Sequence, residues 1–256
     1  MRASDLLAFW RLRGLELAPH EGFRFGSPEV ELTGALVCWL PTLDAIETAR
    51  RQGCNLIVAR DPFNFPPDYS GALIDHNLSD RVTLRRLAAL VDAGVTVFCA
   101  DASVDALMLD GFAEALSLRE PEPAADGLHR IYPIDPASAR ALAARVRAHM
   151  DVDVLRVSGD LDRAVRRVAL LWGNVGCAHY PGGLEPVLRL NPDAIVTGEV
   201  DEYPMRAAID MGIPMIHVGH ARSLTPGLRR FAALLREQFP GLRVEFYENP
   251  RPWAAL

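Results

Sequence analysis

Ionisable side chains follow four of the short apolar runs in the sequence, at the point where each run ends. They are Arg60 and Asp61, Asp101 and Asp105, Glu199, and His220. Clustered carboxylates remain ionised only beside a cation, and that cation is either an arginine or a metal ion. Carboxylates, an imidazole and a guanidinium in one place therefore indicate a metal-assisted hydrolytic site or an anion-binding site.

The elements that would position these residues are short buried strands that alternate with amphipathic helices. Strands are predicted at 36–40, 55–59, 95–100, 152–157, 165–172, 194–197, 213–218 and 242–247. Helices are predicted at 41–49, 83–92, 103–116, 136–150, 203–211 and 226–238. This alternation is typical of βαβ units and predicts an α/β fold with a largely parallel sheet flanked by helices. Because ligands of such sheets bind at the carboxyl ends of the strands, we expect the six residues at one edge.

Each of these residues, taken singly, also has a purely structural interpretation. Asp101 and Asp105 are more often helix N-caps than ligands at such positions. Glu199 could lie in a tight turn or in the first turn of a helix, where the macrodipole favours an acid. For His220 the sequence favours a ligand and a hydrogen-bonded turn residue about equally. The functional interpretation therefore depends on their convergence.

The remaining histidines and the cysteines give no metal-binding pattern of their own. His76, His179 and His217 have no partner at metal-ligand spacing, so each is expected in the core or on the surface. The four cysteines form no C-x-x-C pair, and most lie in or beside apolar runs as small hydrophobic side chains. The sequence has no G-x-G-x-x-G, no Walker lysine and no G-x-S-x-G motif, which leaves dinucleotide, P-loop and serine-hydrolase sites without support.

Composition limits the class of protein. Half of the 256 residues are hydrophobic and 23% are charged, which excludes intrinsic disorder. The net charge of -6 disfavours nucleic acid as a partner. No run approaches the roughly 20 apolar residues that span a bilayer, and the cysteine usage is typical of a reduced compartment, so we expect a cytoplasmic protein that does not bind membranes. The polar stretch from Arg119 to Gly127 predicts a linker between a first lobe, 1–127, and a second lobe, 128–256.

Three sequence blocks carry a resemblance to a known family. They are Gly159-Asp160 ahead of Val168-Ala169-Leu170, the block from Pro192 to Glu199, and Gly212-Ile213 followed by Val218-Gly219-His220. From about Val37 to Tyr247 the chain resembles the Nif-three-like dinuclear-metal-centre proteins, also called the type 2 GTP cyclohydrolase I group. The resemblance implies two related, interlocked α/β lobes and a ring-shaped homohexamer.

The chain departs from the ligand pattern of that family. The family's metal ligands are a His-His-Pro, a His-Thr-Asn-x-Asp type motif, and a late Gly-His with a glutamate four residues on. Here Arg60-Asp61-Pro62 occupies the first motif, the second keeps only its final Asp105, and the third keeps His220 but has Leu224 in the glutamate's place. The resemblance therefore predicts a degenerate site in which the dinuclear centre is lost.

Two functions from different classes follow. In the first, the chain is a cyclohydrolase-type hydrolase of a nucleotide-like substrate. One zinc, manganese or iron ion would be held by Asp61, Asp105 and His220, with Asp101 or Glu199 as general base. In the second, it is a metal-free, ring-forming protein that binds a small molecule or acts as a scaffold without catalysis, with Arg60 as the substrate-binding anchor for an anion.

Overall fold

The structure, a computed structural model, describes residues 1–64, 80–122, 127–180 and 182–255. The chain divides into two compact units, and each unit is discontinuous in sequence. The first consists of Met1–Asp105 with Leu228–Pro250, and the second of Ala106–Gly227 with Arg251–Leu256. The chain therefore passes from one unit to the other after residues 105, 227 and 250. The division into lobes at 1–127 and 128–256 stays a prediction.

The first unit contains a mainly parallel sheet. Its strands are β1 (Gly22–Phe25), β2 (Ala35–Cys38), β3 (Leu56–Ala59), β4 (Thr96–Cys99) and β10 (Val244–Phe246), in the order β1-β4-β3-β2-β10. β10, β2, β3 and β4 pair in parallel, and β1 adds an antiparallel edge. Every residue of β2, β3 and β4 is buried, as expected for parallel strands covered on both faces.

Helices of the first unit begin and end at the residues that local chemistry favours. They are α1 (Ala8–Arg13), α2 (Leu43–Arg51) and α3 (Arg81–Ala93). The side chain of Thr42 accepts a hydrogen bond from the Ala45 amide and caps α2, whose buried face includes Ile46. α3 ends at Gly94, which adopts a left-handed conformation with φ 61°.

The second unit has its own sheet of the same kind. Its strands are β5 (Ile131–Ser138), β6 (Arg156–Ser158), β7 (Ala164–Leu171), β8 (Ala194–Thr197) and β9 (Met215–His217), in the order β5-β7-β8-β9-β6. β7, β8 and β9 run parallel, and both edge strands pair antiparallel. The associated helices are α4 (Asp105–Ala115), α5 (Ala139–His149), α6 (Leu184–Arg189) and α7 (Glu202–Asp210), while α8 (His220–Gln238) continues into the first unit. The predicted α/β fold with two lobes is confirmed.

Three predicted elements are wrong at their beginnings, and one of them is β6, which begins at Arg156 rather than at Val152. The segment from Pro136 was predicted to be helical, but β5 continues to Ser138, whose side chain accepts from the Ala141 amide and starts α5 one residue later. β5 tolerates Pro133 and Pro136 because it is an edge strand whose pairing is interrupted between Pro133 and Ala137. α8 begins at His220 rather than at Pro226, and Pro226 lies inside the helix, where proline is usually unfavourable.

Among the described residues, no helix has both the length and the apolar character needed to cross a membrane. All four cysteines lie in the described part of the chain and are free and buried. Of the predicted linker, the structure describes 119–122 and Gly127, and residues 123–126 lie outside the described part, as does His76.

Candidate functional site

Four of the sequence-predicted residues form one ion-pair cluster in the first unit, here called the Arg60 cluster. Arg60 and Asp61 follow β3, Asp101 follows β4, and Asp105 is the first residue of α4. The guanidinium lies 2.7 Å from a carboxylate oxygen of Asp61, 2.7 Å from one of Asp101 and 2.9 Å from one of Asp105. The Arg60 side chain is only 3% exposed. The contacts of Arg60 with the three aspartates therefore lie inside the unit.

Charge and burial shift the pKa of Arg60 in opposite directions. Burial alone would lower the pKa of the guanidinium, but the carboxylates of Asp101, Asp61 and Asp105 raise that pKa well above its ordinary value. The Nε of Arg60 is buried and has no hydrogen-bond partner among the described residues. A buried cation with several anions around it persists because each partner compensates the desolvation of the others.

Further polar groups hold the carboxylates of the Arg60 cluster in place. The indole Nε1 of Trp39 donates to Asp61 at 2.7 Å. The Nε2 of His20 lies 2.9 Å from the second oxygen of Asp101, and this hydrogen bond raises the pKa of His20. Glu21 accepts from the backbone amide of Asp101 at 2.5 Å and ties the segment before β1 to the turn after β4. The cluster is thus one buried hydrogen-bonded network, which leaves the Nε of Arg60 without a hydrogen-bond partner among the described residues.

The donor set of the Arg60 cluster does not fit a dinuclear metal centre, because Asp61 and Asp105 already contact the guanidinium. In the second unit, Leu224, which the resemblance aligns with a ligand glutamate, offers no donor and is fully buried. Two unit charges 4 Å apart at an effective dielectric near 20 interact by roughly 4 kcal/mol, so a dication beside Arg60 would meet repulsion of about twice that size. The assignment of Asp61 and Asp105 as ligands of a single ion stays a prediction.

In the second unit, Glu199 and His220 form a carboxylate–imidazole dyad. Glu199 follows β8, and His220 begins α8 three residues after the end of β9. The Nδ1 of His220 lies 2.8 Å from a carboxylate oxygen of Glu199. This hydrogen bond lowers the pKa of Glu199. The Glu199 side chain is 51% exposed and reaches the surface of its unit, whereas that of His220 is 12% exposed and its Nε2 is buried.

Close backbone packing fixes the dyad to the end of β7. The Gly198 amide donates to the Leu171 carbonyl at 2.7 Å, and the Glu199 amide donates to the Gly173 carbonyl at 2.7 Å. The Ser223 hydroxyl accepts from the Gly173 amide at 2.9 Å and donates to the His220 carbonyl at 2.8 Å. A Cβ added to Gly198 would overlap with the Gly173 carbonyl oxygen and the Ser223 hydroxyl, so only glycine fits this crossing.

A third group, which the sequence did not predict, lies at the same edge of the second sheet. Cys177 and His179 are in the turn after β7, and Asp201 is the N-cap of α7 after β8. One ligand atom from each residue lies within 4.8 Å of the other two, so the group could hold one metal ion. Cys177 is buried, His179 is exposed and Asp201 is intermediate.

Sequence reasoning gave Cys177 no metal-binding role and found no partner at metal-ligand spacing for His179. The missing ligand, Asp201, is more than 20 positions away in the sequence, beyond the span of the usual short motifs. A Cys-x-His after one parallel strand, combined with an aspartate after the next, is the signal that could have indicated the group.

Burial controls the protonation of two further groups at this edge. Burial, with the nearby charges of Glu199 and Asp201, raises the pKa of the Cys177 thiol to about 11. Burial, together with the charge of Arg156, lowers the pKa of His217, the last residue of β9, to about 4. At neutral pH the structure therefore favours a neutral thiol and a neutral imidazole at these two positions.

The six predicted residues thus fall into two groups within separate units. Arg60, Asp61, Asp101 and Asp105 lie together in the first unit. Glu199 and His220 lie together in the second. Their assigned roles as metal ligands, catalytic residues and a substrate anchor stay predictions.

Comparisons with known proteins agree with the resemblance seen in the sequence. The model of the Duf34/NIF3 (NGG1p interacting factor 3) family matches residues 6–252. The chain is similar to a Lactococcus lactis protein named "GTP cyclohydrolase 1 type 2 homolog", with 27% identity over 207 residues that cover 78% of this chain and 76% of the relative. A Clostridium perfringens protein of the same name is 21% identical over 236 residues, which cover 88% of this chain and 86% of that protein.

Solved structures show the same fold. A Bacillus cereus protein related to NIF3 superposes with a TM-score of 0.82 and 14% identity, covering 100% of this chain and 99% of that one. The Staphylococcus aureus protein SA1388 superposes with a TM-score of 0.80 and 16% identity over the same shares of the two chains.

Proposed function

Because the chain belongs to the Duf34/NIF3 family, we propose that it is a cyclohydrolase-type hydrolase of a nucleotide-like substrate that works without a dinuclear metal centre. The names of its relatives point to GTP as the first substrate to test. The observation that carries the proposal is the hydrogen bond between Glu199 and His220 at the edge of the second sheet, where Glu199 is half exposed and the Nε2 of His220 is buried.

The dyad has the arrangement of a general base and the group that orients it. Glu199 binds Nδ1 of His220, so the imidazole would take a proton through Nε2. Glu199 is then a positioning residue rather than the base itself. Asp101, the other predicted base, is the weaker candidate because His20 and Arg60 already engage its carboxylate.

The reaction that fits this base is hydrolysis of a ring C–N bond. His220 takes a proton from water as the water oxygen adds to the ring carbon. The C–N bond then breaks, and the departing ring nitrogen receives the proton from the imidazolium. Atoms and electrons balance with water as the only co-reactant. Positioned general bases contribute roughly 10²- to 10⁴-fold to such rates.

The proposal is tested by GTP turnover of the purified protein, before and after treatment with a chelator. We expect His220→Asn to lower kcat/KM by about 10²- to 10⁴-fold. Glu199→Gln should lower it less and change the pH profile, while Glu202→Gln, an exposed acid in the first turn of α7, is the matched control. Turnover that is unchanged in His220→Asn, or absent from the folded wild-type protein, would overturn the proposal.

A second candidate is the metal-free, ring-forming protein that binds a small molecule or acts as a scaffold. The three ion pairs of Arg60 favour it, because buried ion pairs can hold the folded unit together without taking part in a reaction. Under this alternative no nucleotide is turned over, and thermal-shift or calorimetric titration would detect ligand binding alone. Sedimentation analysis tests the proposed homohexamer, which rests on the family resemblance. The four free, buried cysteines support a cytoplasmic location for either candidate.

A further inference from the structure

We infer that Cys177, His179 and Asp201 form a binding site for one thiophilic divalent cation of the zinc class. Their ligand atoms lie within 4.8 Å of one another in the second unit. None of the three belongs to the ligand pattern that the resemblance implies, and none belongs to the Glu199–His220 dyad. The inference is therefore independent of the proposed hydrolase activity.

The donor chemistry selects the kind of ion. A thiolate, an imidazole and a carboxylate are all established zinc ligands, and three protein ligands leave a fourth position for water. The sulfur disfavours Mg²⁺, Ca²⁺ and Mn²⁺, which prefer oxygen. Zinc bonds of about 2.0–2.3 Å in a tetrahedron place donors roughly 3.3–3.8 Å apart, so ligand atoms that lie up to 4.8 Å apart would approach by about 1 Å on binding.

Local hydrogen bonds hold the three ligands in position. Asp201 accepts from the Ala178 amide at 2.7 Å with one oxygen and from the Tyr203 amide at 3.0 Å with the other. Since Ala178 lies between Cys177 and His179, Asp201 fastens the turn that carries the other two ligands. Each carboxylate oxygen has a second lone pair, so Asp201 could bind an ion and keep these bonds. Such outer contacts orient metal ligands in known sites.

Charge and exposure also suit a cation. The carboxylates of Glu199 and Asp201 and the single guanidinium of Arg156 act on the Cys177 sulfur, so negative charge predominates there. Cys177 is buried and His179 is exposed, which gives an ion access from solvent on one side and protection on the other. Binding would replace the thiol proton of Cys177, and that proton leaves to solvent.

Cobalt titration of chelator-stripped protein tests the inference, because a cobalt–thiolate bond gives a charge-transfer absorption band whether or not GTP is hydrolysed. We expect one Co²⁺ per chain, displaced by Zn²⁺. Cys177→Ala should abolish the band. His179→Ala, at an exposed position, should weaken binding by at least about 100-fold, beyond the usual effect of an outer contact.

Two variants keep the test specific. Cys54→Ala, at a buried thiol in the other unit, should keep the full band. His220→Asn should also keep it, even if that variant abolishes GTP turnover. The inference fails if the folded wild-type protein binds no Co²⁺, if Cys177→Ala retains the band, or if His220→Asn loses it. Circular dichroism confirms that each variant is folded.

Discussion

In both units, ionisable residues follow the ends of parallel strands of similar sheets. The two units differ in whether these residues are buried or reach the surface. In the first unit the Arg60 cluster is buried, and a guanidinium of the protein itself satisfies three carboxylates. In the second, the Glu199–His220 dyad and the Cys177–His179–Asp201 group reach the surface. The comparison teaches that strand ends in this fold can be used either to stabilise the unit or to present reactive groups.

The internal cation explains why the two edges differ. Arg60 is fixed in the chain, so Asp61, Asp101 and Asp105 always have one positive charge of the protein beside them. At the second edge, the carboxylates of Glu199 and Asp201 lie near a thiol and imidazoles instead. Chemistry is therefore expected in the second unit, and stability effects in the first.

Removal of the guanidinium should give the largest effect. Arg60→Met leaves three buried carboxylates without their common cation, and breaking a buried ion pair costs about 3–5 kcal/mol. We expect a loss of that size in the free energy of unfolding, measured by urea denaturation. Arg140→Ala, which removes an exposed pair with Asp162, should change stability little, and so should Glu199→Gln. A loss below about 1 kcal/mol in Arg60→Met would contradict the buried-network interpretation.

A smaller effect is expected where one hydrogen bond of the buried network is removed. Trp39→Phe keeps the ring but takes away the indole N–H that donates to Asp61 at 2.7 Å. Removing the donor of a charged acceptor costs about 1–3 kcal/mol of stability. Denaturation of Trp39→Phe should show this loss. In the double variant with Asp61→Asn the two losses should not add, whereas simple additivity would separate Trp39 from the network.

The smallest effect is a pH dependence confined to the first unit. The hydrogen bond with Asp101 raises the pKa of His20, while burial opposes the rise, and Glu21 and Arg24 act with opposite signs. A raised pKa in the folded state means that the contribution to stability is complete below the ordinary value of about 6.5. It is lost as the pH rises through the raised pKa.

His20→Gln should therefore reduce the free energy of unfolding more at about pH 6 than at about pH 9. The difference between wild type and variant, followed by denaturation across this range, checks the sign. If the difference instead grows with pH, the folded protein favours the neutral form of His20, and the prediction is wrong.

Buried runs made the parallel strands predictable, because their side chains are apolar on both faces. β8 lies at the predicted residues, and β3 begins one residue later than predicted. The edge strand β1 was not predicted, because only its first residue is fully buried and no apolar run marks it. The beginning of α5 was misplaced because proline suits both a first helical turn and an irregular edge strand.

For the candidate site, the sequence identified Arg60, its aspartates and the Glu199–His220 dyad, because each follows an apolar run. It could not tell which of them share an edge, since that depends on the assignment of strands to sheets. Cys177, His179 and Asp201 were missed because convergence of distant turns leaves no short spacing in the chain. Local pattern thus predicts elements, and topology decides which side chains meet.

The crossing at Gly198 has a consequence for attempts to change the specificity of this protein. Gly198, Gly173 and Ser223 are in close contact. The turns after β7 and β8 and the start of α8 are therefore packed together as one structural block. Single replacements at the crossing would distort all three at once. Randomised libraries should leave it intact and vary the exposed positions Ala178 and His179, or transplant the whole block from a relative.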